Sequence, residues 1–258
     1  MEDGGLYYGE WSLEQNNRHG RGIFLYENES KYIGQWANDK PNGKGKYIQD
    51  QLNFYEGSFL NGKFNGHGKL VENGSTYEGE FKDDKQEGIG KEKWQDGAVY
   101  EGEYKNGVKC GKGKFIWDSG TIYEGQFDNN QINGQGKYIF SDGRKYYGEW
   151  KDNKINGKGK FIWPDGRIYE GEYKNDKKDG FGTFYWPDGR IYKGNWKDGK
   201  QNGEGEFFNP KKNKWKKGQW EKGKRLKWID CFLIKNYFHK LLNLNYLYEF
   251  HNPRIKIV

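Results

Sequence analysis

The sequence predicts an all-β protein: an elongated, single-layer, twisted antiparallel β-meander of repeated hairpins, with a short C-terminal helix. Three observations predict it. A Tyr-x-Gly-x-aromatic segment starts at Tyr7, Tyr32, Tyr55, Tyr77, Tyr100, Tyr123, Tyr146, Tyr169 and Tyr192, at intervals of 25, 23 and 22 residues and then five of 23. A Gly-x-Gly follows each start, from Gly20 and Gly22 to Gly203 and Gly205. Within each segment residue types alternate with a period of two, which is a strand pattern.

Residues 100–115 show one unit. Tyr100, Gly102 and Tyr104 alternate with Glu101 and Glu103, and Gly111, Gly113 and Phe115 alternate with Lys112 and Lys114. The KNGVKC between them carries an Asn-Gly turn signal. DSG at 118–120, and PDG at 164–166 and 187–189, mark the turn into the next unit. Pairing Gly102 with Gly113 sets Tyr100 against Phe115 and Tyr104 against Gly111. It also sets Glu101 against Lys114 and Glu103 against Lys112 on the other face, where such pairs add ~0.2–1 kcal/mol each before screening. Continuing through Phe115 and Tyr123 pairs Gly113 with Gly125 and Gly111 with Phe127, and leaves Lys114 between Glu101 and Glu124.

One face then carries an aromatic row, an all-glycine row, and a row alternating aromatic with glycine. Glycine weakens a strand, but bare backbone gives rings a place to lie flat. A single sheet can thereby bury apolar surface. Trp163 with Arg167, and Trp186 with Arg190, are expected cation–π pairs.

Composition agrees. Only 33% of the 258 residues are hydrophobic, yet 16 Phe, 11 Trp and 20 Tyr exclude a disordered chain. Forty glycines with five prolines and no Gly-Pro period exclude collagen. The net charge of +7 divides sharply: residues 209–258 carry 13 Lys/Arg against 3 Asp/Glu, and residues 1–208 carry 31 against 34. Two cysteines, Cys110 and Cys231, make no framework, which fits a reduced, cytosolic setting. The acidic MEDGGLYYGEW is no secretory leader, and no run approaches ~20 uncharged apolar residues.

Over residues 7–208 the nine units resemble the MORN-repeat family, whose pattern is Tyr-x-Gly-x-Trp, a loop, Gly-x-Gly, then Asp-Gly. The resemblance implies an elongated array of successive hairpins. It also implies a non-enzymatic scaffold or protein-interaction role, including cytoskeletal, axonemal and radial-spoke-like ones. Departures are two extra residues between Gly9 and Gly20, Glu92 at an aromatic position, and ENES and QDQL in place of Asp-Gly.

The expected organisation is a tail at 1–6, nine repeats at 7–208, a degenerate basic tenth repeat at 209–225, an amphipathic helix at 226–250 and a tail at 251–258. The helix rests on Leu226, Ile229, Leu233, Tyr237, Leu241, Leu244 and Tyr248, spaced by three and four.

No catalytic, cofactor or metal site is expected. A phosphate loop needs a glycine turn followed by a helix N-terminus; here no helical pattern follows and the element recurs nine times. The recurring glutamates have lysine partners. His19, His67, His239 and His251 lack ligand spacing, and Cys110 has no positioned base. The net-negative repeats argue against nucleic acid.

Two candidate surfaces follow. The first is a partner-binding aromatic face of Tyr100, Tyr104, Phe115, Tyr123, Phe127, Tyr146, Trp150, Phe161, Tyr169, Tyr173, Tyr192 and Trp196. The second is an anionic-lipid patch of Lys211, Lys212, Lys214, Lys216, Lys217, Lys222, Lys224, Arg225 and Lys227. The reading is a cytoplasmic scaffold with protein partners, in a cytoskeletal or ciliary assembly or at a membrane surface. The alternative is a phosphoinositide or anionic-membrane module, and a third is a regulatory subunit that positions an enzyme on another chain. A homo-oligomer is compatible with each.

Overall fold

The computed structural model describes residues 5–229, and the chain divides into two compact units after Pro164. The first unit is seven hairpins in succession: β1 (Leu6–Ser12) and β2 (Asn17–Leu25), β3 (Lys31–Ala37) and β4 (Lys40–Ile48), β5 (Phe54–Leu60) and β6 (Lys63–Glu72), β7 (Ser75–Lys82) and β8 (Lys85–Lys93), β9 (Val99–Lys105) and β10 (Val108–Ile116), β11 (Ile122–Asp128) and β12 (Gln131–Ile139), β13 (Lys145–Lys151) and β14 (Lys154–Ile162). Each strand pairs antiparallel with its neighbours in chain order.

The second unit repeats the plan with β15 (Ile168–Lys174), β16 (Lys177–Tyr185), β17 (Ile191–Lys197), β18 (Lys200–Asn209), β19 (Lys214–Glu221) and β20 (Lys224–Trp228). A single turn of 3-10 helix, Pro210–Lys212, joins β18 to β19. The all-β antiparallel meander is thus as the sequence predicts.

Glycine pairs with glycine throughout the register: Gly102 faces Gly113, which faces Gly125, which faces Gly136. Over each pair within a hairpin lies a tyrosine. A Cβ built on Gly113 would sit 2.5 Å from the Tyr100 hydroxyl and 2.6 Å from its ring. The ring lies along its own strand, and its hydroxyl donates to the Glu103 carbonyl at 3.1 Å. The same bond recurs from Tyr32, Tyr55, Tyr77, Tyr123, Tyr146, Tyr169 and Tyr192. These phenols are buried, seven of the eight fully. Each satisfies its polar end locally, as a buried hydroxyl must.

The two glycines of Gly-x-Gly have different tasks. The second lies under the ring. The first takes a positive φ in all nine units, from 54° at Gly111 to 101° at Gly180, and it stands where the hairpin register slips. It is a β-bulge, for which glycine is suited. Two expected pairings fail for this reason. Tyr104 faces Lys109 rather than Gly111, and Glu103 faces Cys110 rather than Lys112. The Glu103 carboxylate instead accepts from the Lys112 backbone amide at 2.7 Å, sealing the bulge. Gln35, Gln126 and Glu149 do likewise for Lys44, Gln135 and Lys158.

The hairpin turns place two successive residues at positive φ, as at Asn106 and Gly107 (51° and 83°) or Asn129 and Asn130 (47° and 64°). This is the two-residue geometry that suits sheet twist. At four turns of the first unit the second residue is Asp or Asn and its side chain reaches back to the preceding hairpin. Asp39 accepts from the Arg18 amide, Asp84 from Phe64, Asn130 from Lys109 and Asn153 from Ile132, at 2.7–2.8 Å.

At the C-terminal end, Leu226–Trp228 belong to strand β20, not to a helix. Lys222 and Gly223 form a further positive-φ turn, and Trp220 faces Arg225. The degenerate tenth repeat therefore closes a complete hairpin. The rest of the expected helix, from residue 230 on, and the tails at 1–4 and 251–258 lie outside the described residues.

Gly113→Ala pushes a methyl into a fixed ring and is expected to cost ~2–3 kcal/mol. Gly111→Ala meets the Glu103 side chain, which can move, and pays mainly ~1 kcal/mol for its left-handed backbone. Urea melts should rank the two in that order; equal shifts would contradict the division of tasks. Burial also raises the tyrosine phenols, pushing Tyr55, Tyr123 and Tyr192 up to about 12 from an ordinary 10.0. The fold favours the neutral form, so this stabilisation is complete below the unfolded value and is lost as pH rises through the folded one. Tyrosinate absorbance and loss of sheet circular dichroism should therefore appear together between about pH 10 and 12. Tyrosinate formed near pH 10 by Tyr55, Tyr123 or Tyr192 while the sheet signal persists would count against the burial.

Candidate interaction surfaces

The expected aromatic face is the core. Tyr100, Tyr123, Tyr146, Tyr169 and Tyr192 are fully buried, and Tyr104, Phe127, Trp150, Phe161, Tyr173 and Trp196 nearly so; only Phe115 is half-buried. From Trp36 to Trp150, and again at Trp196, the fifth-position ring packs edge-on against its own tyrosine and that of the repeat before. Phe127 lies 5.2 Å from Tyr123 and 5.1 Å from Tyr100, and Trp196 lies 5.4 Å from Tyr192 and 5.2 Å from Tyr169. These rings leave a partner little area to touch. Among the described residues the sheet has no second layer, so its own rings supply the burial.

A further row on this face was not legible. The second residue of each returning strand sits against the fifth-position ring: Arg18, Pro41, Phe64, Gln86, Lys109, Ile132, Ile155, Lys178 and Gln201. Residue type varies widely here, with six kinds in nine repeats. Arg18 lies 4.8 Å over Trp36 and bonds Asp39 at 3.2 Å. Lys178 lies over Tyr169, Phe184 and Trp196, and burial pushes its amine down to about 8, helped by Arg167. Lys109 explains Glu92. Its ammonium bonds Glu92 at 2.8 Å and lies 4.7 Å over Trp94, while the Tyr104 hydroxyl donates to the same carboxylate at 2.9 Å. Burial first, then the Glu92 charge, raises the Tyr104 phenol.

The opposite face is open. In the first unit its floor is glycine backbone and its walls are charged. Gly34, Gly45, Gly57 and Gly68 floor a trough of about 750 Å³ walled by Lys44, Lys46, Glu56, His67, Lys69 and Glu78. A second trough, about 560 Å³, runs over Gly113 and Gly125 between Glu101, Lys114, Glu124 and Gln126. The wall is a ladder of alternating sign in direct register: Lys46, Glu56, Lys69, Glu78, Lys91, Glu101, Lys114, Glu124, Lys137. Lys46 reaches Glu56 at 2.9 Å and Lys91 reaches Glu101 at 3.4 Å; exposed pairs like these contribute ~0–1 kcal/mol each. Beside the ladder runs a half-exposed aliphatic row that includes Ile48, Val71, Val99, Ile116, Ile122 and Ile139. Its signal was present: these residues share the parity of the glutamates.

The lipid-patch residues Lys211, Lys212, Lys214, Lys216, Lys217, Lys222, Lys224, Arg225 and Lys227 are all exposed. They do not share one face. Lys216 faces Phe207 on the tyrosine side, and Lys217 faces Glu206 on the trough side and bonds Glu204 at 2.7 Å. Arg225 stacks 4.1 Å over Trp228.

Cys110 is half-buried, and burial, then Glu103, raises its thiol, opposite to activation. Among the described residues no group of His, Cys, Asp or Glu could hold a metal; His239, His251 and Cys231 lie outside them.

The MORN repeat pattern matches nine times, over residues 7–31, 32–50, 55–76, 77–99, 100–122, 123–143, 146–166, 169–189 and 192–213. The chain belongs to the MORN-repeat family. The nine matches begin on or with the nine tyrosines that cover the glycine pairs. No curated protein matches the chain. Among solved structures, the wild-type TCP10 domain of Danio rerio CPAP is similar at 15% identity and a TM-score of 0.41, over 77% of this chain and 92% of that one. The SAS-4 (dCPAP) TCP domain of Drosophila melanogaster, in complex with a proline-rich motif of Ana2 (dSTIL), is similar at 13% identity and a TM-score of 0.21, over 78% and 90%. These scores are too low to carry an argument.

Glu92→Ala leaves the Lys109 ammonium without its carboxylate among rings and is expected to cost ~2–3 kcal/mol. Glu92→Phe with Lys109→Ile restores the residue types of the next repeat and is expected to be neutral or stabilising. Denaturant melts of the single and double variants check this; a double variant no better than the single one would contradict it.

Proposed function

We propose that the chain is a non-enzymatic scaffold that holds protein partners on the trough face of its repeats, in a cytoplasmic assembly of cytoskeletal or ciliary kind. One observation carries the surface: the tyrosine face is closed upon itself, while the opposite face offers charged walls, a bare backbone floor and an exposed aliphatic row. Membership of the MORN-repeat family supports an interaction module, and the cytoskeletal or ciliary setting rests on that family resemblance alone. Alternating charges favour selection among partners more than raw affinity, and the aliphatic row supplies apolar contact. Affinity capture from the native cell is expected to recover a stoichiometric protein partner with the unmodified chain. It should fail with Lys91→Glu and Lys114→Glu together, which breaks the ladder without touching the core. Recovery of no stoichiometric partner would overturn the reading, and a copurified activity lost with the partner would mark a regulatory subunit.

A second reading has its own observation. Nine exposed cations against one acid, Glu221, lie between residues 209 and 228, beside exposed Trp215 and Leu226. Basic residues near an anionic membrane contribute ~1 kcal/mol each. Vesicles of phosphatidylserine with a phosphoinositide should then co-sediment with the full chain, and binding should fall at least ~30-fold on changing Lys211, Lys212, Lys214 and Lys222 to Gln. Equal binding by that variant would exclude the patch.

A further inference from the structure

Strand β1 lies at the N-terminal edge of its unit. Among the described residues it pairs with β2 alone, so its outer row of backbone N–H and C=O groups meets no strand there. Its sequence, LYYGEWS, has one charge and no Lys, Arg or Pro. Open edges of this kind invite another chain, and proteins usually blunt them with basic residues or short strands. The last described strand shows that protection: β20 has five residues, of which Lys224, Arg225 and Lys227 are cationic.

Two further observations point the same way. Each fifth-position ring from Trp36 to Trp150 is held between two tyrosines, as Trp36 is by Tyr32 at 5.2 Å and Tyr7 at 5.3 Å. Trp11 has Tyr7 at 6.3 Å and no tyrosine of an earlier repeat, and it is 38% exposed where Trp36 is 4%. On the trough face, Tyr8, Ile23 and Ile33 stand in register at the ladder positions that carry charge from Lys46 onward. With Leu6 and Leu25 they form an exposed apolar patch, in which Leu6 and Tyr8 are each 60% exposed.

We propose that β1 pairs antiparallel with β1 of a second copy about a two-fold axis at Gly9. Glycine then faces glycine, the register used by all thirteen strand pairs of the unit. Trp11 meets Tyr7 of the second copy, and Tyr7 meets its Trp11, so the missing ring is supplied twice. Tyr8 lies opposite Glu10 of the second copy, within reach of a phenol-to-carboxylate hydrogen bond, and the two glutamates avoid each other. Leu6 lies opposite Ser12 of the second copy, so the two apolar patches run to opposite ends of the seam and meet diagonally at the two Tyr8 rings. Self-complementarity is what selects a copy of this chain over a foreign strand. An isologous interface needs one segment to serve both sides, and Tyr7 and Trp11 stand two residues either side of Gly9.

The test is the mass of the full chain in solution by sedimentation, with no partner added, so it reads independently of the scaffold proposal. The expected mass is twice 30.4 kDa. Tyr8→Lys with Trp11→Lys should return it to one chain with sheet circular dichroism unchanged. Tyr8→Lys alone, at a side chain mostly in solvent, serves if the pair disturbs folding. Leu226→Glu, in β20, should leave the dimer intact. A monomer at all accessible concentrations, a dimer undiminished by the β1 variants, or a dimer lost in the β20 variant would overturn the proposal.

Discussion

A tyrosine ring lying flat on a pair of facing glycines is the contact on which the rest of this structure depends. A lone sheet normally has no way to bury apolar area, because side chains on one face need another layer. Removing two Cβ atoms lets a neighbouring ring fill their place. The hydroxyl end then finds a carbonyl three residues on, which keeps the buried phenol satisfied. The next requirement follows at once. A ring directed along its own strand leaves room beside it, and the fifth-position ring enters that room edge-on, touching two tyrosines. The glycine pairs therefore fix the register, the register fixes the ring contacts, and the ring contacts join one hairpin to the next.

The same constraint decides which face can act outwardly. Rings committed to one another are no longer surface, so the exposed recess lies on the side where the glycines leave a floor between charged walls. On that side residue types vary at little structural cost. The aromatic side allows variation mainly at one place, the residue beside the fifth-position ring, where Lys109, Ile132 and Lys178 substitute for one another. A cation there persists only with compensation. Lys109 has a carboxylate, Arg18 has Asp39, and Lys178 has three ring faces.

Much of this was legible in the sequence because period two and a fixed repeat length determine parity and register. Tyr100 against Phe115, Gly113 against Gly125, and Glu101 against Lys114 all stand as pattern alone predicts. Parity could not reveal the bulge. Gly111 and Gly113 look alike as letters, yet one serves backbone conformation and the other ring space. Because the slip falls between them, Tyr104 and Glu103 moved to other partners. Burial was the second hidden quantity. A row of aromatics reads equally as docking face or core, and only the edge-on ring distances decide between them. Leu226 opens a helical spacing with Ile229, but a positive-φ turn at Lys222 and Gly223 claims Leu226–Trp228 for a hairpin first.

The side chains that reach back from the turns give the array a direction. Asp39, Asp84, Asn130 and Asn153 each satisfy an amide in the hairpin made 20 or 21 residues earlier. A hairpin emerging during synthesis thus holds an amide that nothing in its own repeat can cap. Its acceptor arrives only when the following turn has been made. At these four places a repeat is completed by its successor, so a chain interrupted just after one of them ends on a hairpin that lacks this bond.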